Sequence, residues 1–187
     1  MHRFRVSPVW GGVCVGFVLA LALSGCAGLR GGTPPDTVPS VDLSRYVGTW
    51  YEIASYPQFF NRGLVATTAT YGLLEDGRIS VFNRGLRNSF DGAESTILGK
   101  ARVVDATTNS KLAVRFDEFP VNLFEGKYWI VLLDDDYEWA VVSDPNRSTL
   151  FILSRTAHIE DTLYQDILEQ LRAKGFDTGK LHVTPQP

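Results

Sequence analysis

The chain is poor in the residues from which most catalytic and metal sites are built. Of its 187 residues two are cysteine, Cys14 and Cys26, and three are histidine, His2, His158 and His182. Cys14 lies inside an N-terminal apolar run that reads as an export signal. Cys26 is then the one cysteine of the processed chain, which excludes an internal disulfide and a thiol nucleophile in the folded domain. His158 and His182 supply neither a metal-ligand cluster nor a Ser/His/Asp arrangement. A membrane-spanning run is also missing: residues 11–23 are apolar and uncharged, but these 13 residues fall short of the ~20 that cross a bilayer. Nor is there an excess of positive charge. The 18 basic residues less Arg3 and Arg5 leave 16 against 21 acidic ones, a net of −5, so no basic face is available to neutralise nucleic-acid phosphates.

What is present divides the chain into three. Residues 1–25 combine His2, Arg3 and Arg5 with the apolar run and read as a removable signal peptide. The run ends in Leu23-Ser24-Gly25-Cys26, which resembles the bacterial lipobox, where cleavage precedes a cysteine that is then acylated. Two or more acyl chains anchor stably, and Ala27 beside the cysteine fits outer-membrane sorting. Residues 26–40, rich in Gly, Pro, Thr and Ser, read as a lipidated cysteine and a flexible tether. Residues 41–187 form one domain.

That domain reads as a succession of short strands. Its opening run is 48–54, followed by a loop over 55–64 that carries Phe59 and Phe60. Alternating runs follow at 65–71, 79–83 (after the turn signal Asp76-Gly77), 94–103, 111–116, 126–133, 137–143 and 149–154. Asp134-Asp135-Asp136 is a solvated acidic turn with no complementary ligand set for a metal. The period then changes: Leu163, Ile167 and Leu171 recur at helical spacing, and Gly175 is a natural stop. A last short strand falls at 180–183. Eight strands joined by tight turns predict an all-β fold, an eight-stranded antiparallel up-and-down β-barrel with one C-terminal α-helix packed outside and a short final strand.

Three ordered motifs give the domain a family resemblance: Gly48-x-Trp50 followed by Tyr51-Glu52-Ile53-Ala54, Ser143-Asp144-Pro145 with Arg147, and Ile152-Leu153-Ser154-Arg155-Thr156. Over residues 42–184 the chain resembles the lipocalins, and most of all the bacterial outer-membrane lipoprotein lipocalins and their apolipoprotein D-like relatives. One departure is in the second motif, where the family's more usual aromatic is replaced. The resemblance implies that Gly48, Trp50 and Arg155 form the structural base, with Arg155 stacked across the tryptophan that shuts the narrow end. It implies an outer-membrane protein facing the periplasm that binds a fatty acid or lysophospholipid and is no enzyme, with no cofactor and no metal. It also allows a homodimer.

Keeping the phase of Trp50, the inward positions are Val65, Thr67, Ala69 and Tyr71; Ile79, Val81 and Asn83; Ile97, Gly99 and Ala101; Leu112, Val114 and Phe116; Tyr128, Ile130 and Leu132; Ala140 and Val142; Thr149, Phe151 and Leu153. The set is mainly apolar and suits an acyl chain. Val81, Ile97, Val114, Phe116, Ile130, Ala140, Val142 and Phe151 would line the pocket, and Tyr71, Asn83 and Tyr128 would orient a polar end. The small residues Ala69, Gly99, Ala101 and Ala140 are expected to leave room for a ligand. Glu52 shares the face of Trp50 and is expected to be a buried carboxylate whose partner the sequence does not name. Two other readings stay open: a lipocalin-fold enzyme acting on a lipid, and a tethered interaction module that uses the rim aromatics Phe59, Phe60 and Phe124.

Overall fold

Alternation commits each short run to one sheet face, and turns too short for crossovers force neighbouring strands to pair antiparallel. The computed structural model describes residues 33–187 and contains those strands: β1 (Gly48–Ser55), β2 (Leu64–Leu73), β3 (Ile79–Arg87), β4 (Glu94–Val103), β5 (Lys111–Phe116), β6 (Gly126–Leu133), β7 (Trp139–Ser143) and β8 (Leu150–Ser154). Each pairs with the next, and β1 pairs with both β2 and β8, so the sheet closes into the expected eight-stranded barrel. The expected helix is α2 (Asp161–Ala173), and the last strand, β9 (His182–Val183), lies outside the barrel against the end of β1. A four-residue helix, α1 (Leu43–Tyr46), precedes β1; it is too short to leave a periodic signal in sequence. The signal peptide, Cys26 and residues 27–32 lie outside the described residues. Residues 33–40, expected as free tether, are instead held to the barrel: Val38 N–H donates to the Ile130 carbonyl at 3.0 Å, and Arg147 Nη1 to the Thr33 carbonyl at 2.8 Å.

Two apolar layers share the sheet. Trp50, Ile79, Val81, Ala101, Leu112, Val114, Ile130, Ala140, Val142 and Leu153 fill the inside. The opposite faces of β1, β6, β7 and β8 carry Ile53, Val131, Val141, Leu150 and Ile152, and are covered by Ile167, Leu168 and Leu171 of α2. Fully burying an aliphatic side chain such as Ile167 or Leu171 stabilises by roughly 1.5–3 kcal/mol, enough to fix the helix to this wall.

Register shifts in β1 (Glu52/Ala54), β2 (Val65/Thr68) and β6 (Ile130/Leu132) correct the expected inward set. A bulge adds one residue to one strand, so every side chain beyond it changes face. Leu132 therefore belongs to the outer layer beneath α2, and Leu133 packs inside. Val65 likewise yields its place to Leu64, whose side chain lies against the inward Gly85. Two boundaries also move. Tyr137 adopts a left-handed φ of 64°, which keeps it in the turn before β7. Thr149 donates through its N–H and Oγ1 to Asp144 Oδ1 and so belongs to the turn before β8, not to the pocket wall.

Candidate ligand-binding calyx

The closed end is built on Trp50, which is fully buried and donates from Nε1 to the Tyr46 carbonyl at 2.8 Å. Arg155 Cζ stands 3.7 Å from the centroid of the indole. Its guanidinium also donates to the carbonyls of Arg45, Tyr46, Val47, Thr49 and Tyr137, and so ties α1, β1 and the β6–β7 turn together. Gly48 makes this possible: its φ is +103°, and a Cβ there would sit 3.2 Å from Arg155 Nη1.

Above the base, three tyrosines form a hydroxyl chain. Tyr46 and Tyr128 hydroxyls are 2.7 Å apart, and Tyr128 donates to Tyr71 at 3.2 Å. Burial pushes the Tyr71 hydroxyl up to about 12 and those of Tyr46 and Tyr128 well above their ordinary value, so all three are neutral near pH 7. Tyr71 and Tyr128 thus satisfy each other deep in the barrel. Among the polar inward residues, buried Asn83 Oδ1 and Thr67 Oγ1 have no hydrogen-bond partner.

The tyrosines, with Ile79, Val81, Ala101, Leu112 and Val114, line a cavity of about 20 Å³. The room expected beside Gly99 is taken, since a Cβ there would lie 2.6 Å from the Arg115 carbonyl oxygen and 2.9 Å from the Phe116 ring. Ala101 and Ala140 are buried within the core. Ile97 lies on the same wall, paired with Asn83, and Ile130, Val142 and Phe151 complete it. Two residues of the calyx were missed in sequence: Tyr46, carried by the short α1, and Arg87. Arg87 ends the inward phase of β3 at the rim and donates from Nη2 to Ser95 Oγ at 3.0 Å. Continuing the alternation of Val81 and Asn83 by two steps finds it.

Glu52 has partners that no sequence pattern announces. Its Oε1 accepts from Ser55 Oγ at 2.8 Å and from Thr184 Oγ1 at 2.6 Å. β2 pairs with β1 only from Gly48 to Tyr51, and the C-terminal residues close the seam where the two strands part. Thr184 N–H donates to the Ile53 carbonyl, Ala66 N–H to the Pro185 carbonyl, and Gln186 Nε2 to the carbonyls of both Glu52 and Thr67. Burial raises the Glu52 carboxyl above its ordinary value of 4.5, against the opposing hydrogen bonds from Thr184 and Ser55. A raised acid contributes stability that is complete below its unfolded value and lost as pH climbs through the folded one. Glu52→Gln is therefore expected to flatten the fall of the melting temperature as pH rises above the ordinary carboxyl value, the gap to wild type widening in the variant's favour. Parallel melting curves against pH would refute this account of Glu52.

The open-end loops expose Phe59, Phe60 and Phe124, and the two β1–β2 phenylalanines pack edge to face at 5.3 Å. The acidic turn is self-capped, with Asp134 Oδ2 accepting from the N–H groups of Asp136 and Glu138. Among the described residues no three His, Cys, Asp or Glu side chains are grouped to hold a metal ion.

The family described as lipocalin-like domain matches residues 41–186. Outer membrane lipoprotein Blc of Escherichia coli K12 is 41% identical over 158 residues, which are 83% of this chain and 86% of that one. Apolipoprotein D of Macaca fascicularis is 32% identical over 186 residues, covering 90% and 95% of the two. Among solved structures, insecticyanin of the tobacco hornworm Manduca sexta superposes with a TM-score of 0.63 at 20% identity, covering 83% of this chain and 87% of that one. At that identity the likeness shows the fold alone.

Proposed function

Because the chain belongs to the lipocalin family, we propose that it is a membrane-anchored binding protein that holds a fatty acid, lysophospholipid or similar apolar molecule in its barrel. In this reading it is exported, cleaved before Cys26, acylated there and held at the outer membrane on the periplasmic side. The lipobox-like sequence supports the anchor, as does a relative that is itself described as an outer membrane lipoprotein. It carries or stores its ligand and catalyses no reaction. The hydroxyls of Tyr46, Tyr71 and Tyr128 bond one another and stay protonated, and Glu52 is committed to Ser55 and Thr184, so none is free for proton transfer.

The observation that carries the reading is the charge pattern of the wall. On β2 to β8, among the described residues, the inward phase is uncharged from the base up to Arg87 at the mouth. An acyl tail would lie along this wall, with its carboxylate or phosphate at the Arg87 guanidinium. Asn83 Oδ1 and Thr67 Oγ1 would accept hydrogen bonds from a ligand hydroxyl below it. Burying about ten methylenes gains on the order of 8 kcal/mol before ordering costs.

The calyx of about 20 Å³ is far smaller than the roughly 300 Å³ at the low end of ligand pockets, so uptake must displace side chains. Phe116 is the candidate gate, being half-buried and seated where a Gly99 side chain would be. Phe116→Ala is expected to tighten binding of a long-chain fatty acid by about 3- to 10-fold, by removing the cost of that displacement. Unchanged or weaker binding would take the gate away from Phe116. The function itself is tested by native mass spectrometry of the protein with its co-purified lipid. A single-chain amphiphile bound one to one is expected, and failure to retain or rebind any lipid overturns the proposal.

A further inference from the structure

Among the described residues, the most exposed aromatic side chains are concentrated at one end. Phe59 (80% exposed), Phe60 (54%), Phe90 (48%), Phe119 (79%) and Phe124 (71%) all belong to the loops β1–β2, β3–β4 and β5–β6, which rim the open mouth. The one other exposed phenylalanine among the described residues, Phe82, is less exposed at 36% and lies on the outer wall of β3. The loops at the closed end carry instead Glu75 and Asp76, Asp105, and Asp134, Asp135, Asp136 and Glu138. A folded protein does not ordinarily leave such a set of aromatic side chains in water at one pole unless that pole meets an apolar surface.

The course of the chain says which surface. Thr33, the first described residue, is fixed to Arg147 in the β7–β8 turn, and that turn also belongs to the open end. In the barrel order β7 and β8 stand between β6 and β1, so Thr33 lies between the loop bearing Phe119 and Phe124 and the loop bearing Phe59 and Phe60. From Cys26 to Thr33 is seven residues, which span at most about 25 Å when fully extended. An acyl group on Cys26 therefore keeps the whole domain within reach of the bilayer, and the pole that carries the phenylalanines is the one with apolar side chains to meet it.

We infer that the open rim docks on the lipid bilayer, with Phe59, Phe60, Phe119 and Phe124 inserted at the headgroup boundary. This rests on the Cys26 anchor for bringing the rim to the membrane, and on the phenylalanines for holding it there. Docked in this way, the calyx opens into the bilayer interface, and a lipid passes between membrane and barrel without crossing water.

The test uses the full lipidated protein in vesicles of phosphatidylethanolamine and phosphatidylglycerol doped with nitroxide-labelled acyl chains. Phe124→Cys at the rim and Asp135→Cys at the base each receive a fluorophore. Acylated Cys26 offers no competing thiol, so labelling should be one per chain. A count of two would disprove the anchor and with it this placement of the rim, whereas equal quenching with a count of one would leave the anchor standing and overturn the docking alone. Docking predicts that the probe at position 124 is quenched at least about threefold more than the probe at 135, and that exchanging Phe59, Phe60 and Phe119 for serine abolishes the difference. These side chains are exposed, so the fold survives the exchange, and an unchanged melting temperature checks that. Equal quenching at the two positions, or none at either, overturns the inference. So does a lipid-insensitive rim probe in a protein that the serine exchange converts from dimer to monomer, because the occupant is then a second copy of the chain.

Discussion

Trp50→Ala is expected to lower stability by about 3–5 kcal/mol, the usual cost of truncating a fully buried tryptophan. For a domain of this size each kcal/mol moves the melting temperature by roughly 2–4 °C, so a fall of about 6–20 °C should appear in a thermal melt followed by circular dichroism. The cost has three sources here. The indole occupies the floor of the inner layer, its Nε1 satisfies the Tyr46 carbonyl, and its face carries the Arg155 guanidinium. Removing the ring leaves a void beneath Tyr46 and strips Arg155 of its cation–π partner, while the five carbonyls that Arg155 binds still hold it in place. Trp50→Phe should recover part of the loss, since it restores ring volume without the N–H donor. A melting temperature within about 2 °C of wild type for the alanine variant would show that the base is not the structural keystone described here.

Val114→Trp is expected to cut the affinity for a long-chain fatty acid by roughly 30-fold. Val114 borders the calyx between Ala101 on β4 and Gly126 on β6, so a larger ring there projects into the path of the tail. Denying the ligand about two to three methylenes of depth at ~0.8 kcal/mol each removes about 2 kcal/mol, which gives that factor. The diagnostic readout is chain length. Wild type should bind more tightly as the acyl chain grows, and the variant should stop gaining beyond a shorter limit. That dependence separates a blocked calyx from a merely destabilised fold, which would weaken binding of all chains alike. Equal chain-length profiles for the two proteins would exclude Val114 from the tail's path.

The order of strands and the helix were legible because each leaves a period in the sequence. Leu112, Val114 and Phe116 repeat at two, and Leu163, Ile167 and Leu171 at four. The base was legible for another reason: Gly48, Trp50 and Arg155 fall in motifs whose order matches a known family. What the sequence concealed were departures of a single residue. The bulges at 65–68 and 130–132 insert one position without altering composition, so Val65 and Leu132 kept an apparent phase that the backbone does not follow. Gly99 misled in a different way, because the lack of a side chain tells nothing about which neighbour takes the space, and the Arg115 carbonyl and Phe116 do. The partners of Glu52 were hidden by distance, Thr184 being 132 residues away.

That distance has a consequence for how the molecule assembles. The seam between β1 and β2 is sealed by Thr184, Pro185 and Gln186, and β1 takes its other neighbour from β8, so the first strand to emerge is completed by the last residues to arrive. Contacts of such high contact order form late and slowly, since loop-closure entropy must be overcome before they contribute. Until the tail arrives, β1 has an unpaired edge beyond Tyr51, an invitation to pair with another chain. Loss of the final four residues should therefore appear first as aggregation during refolding, before any change in ligand affinity.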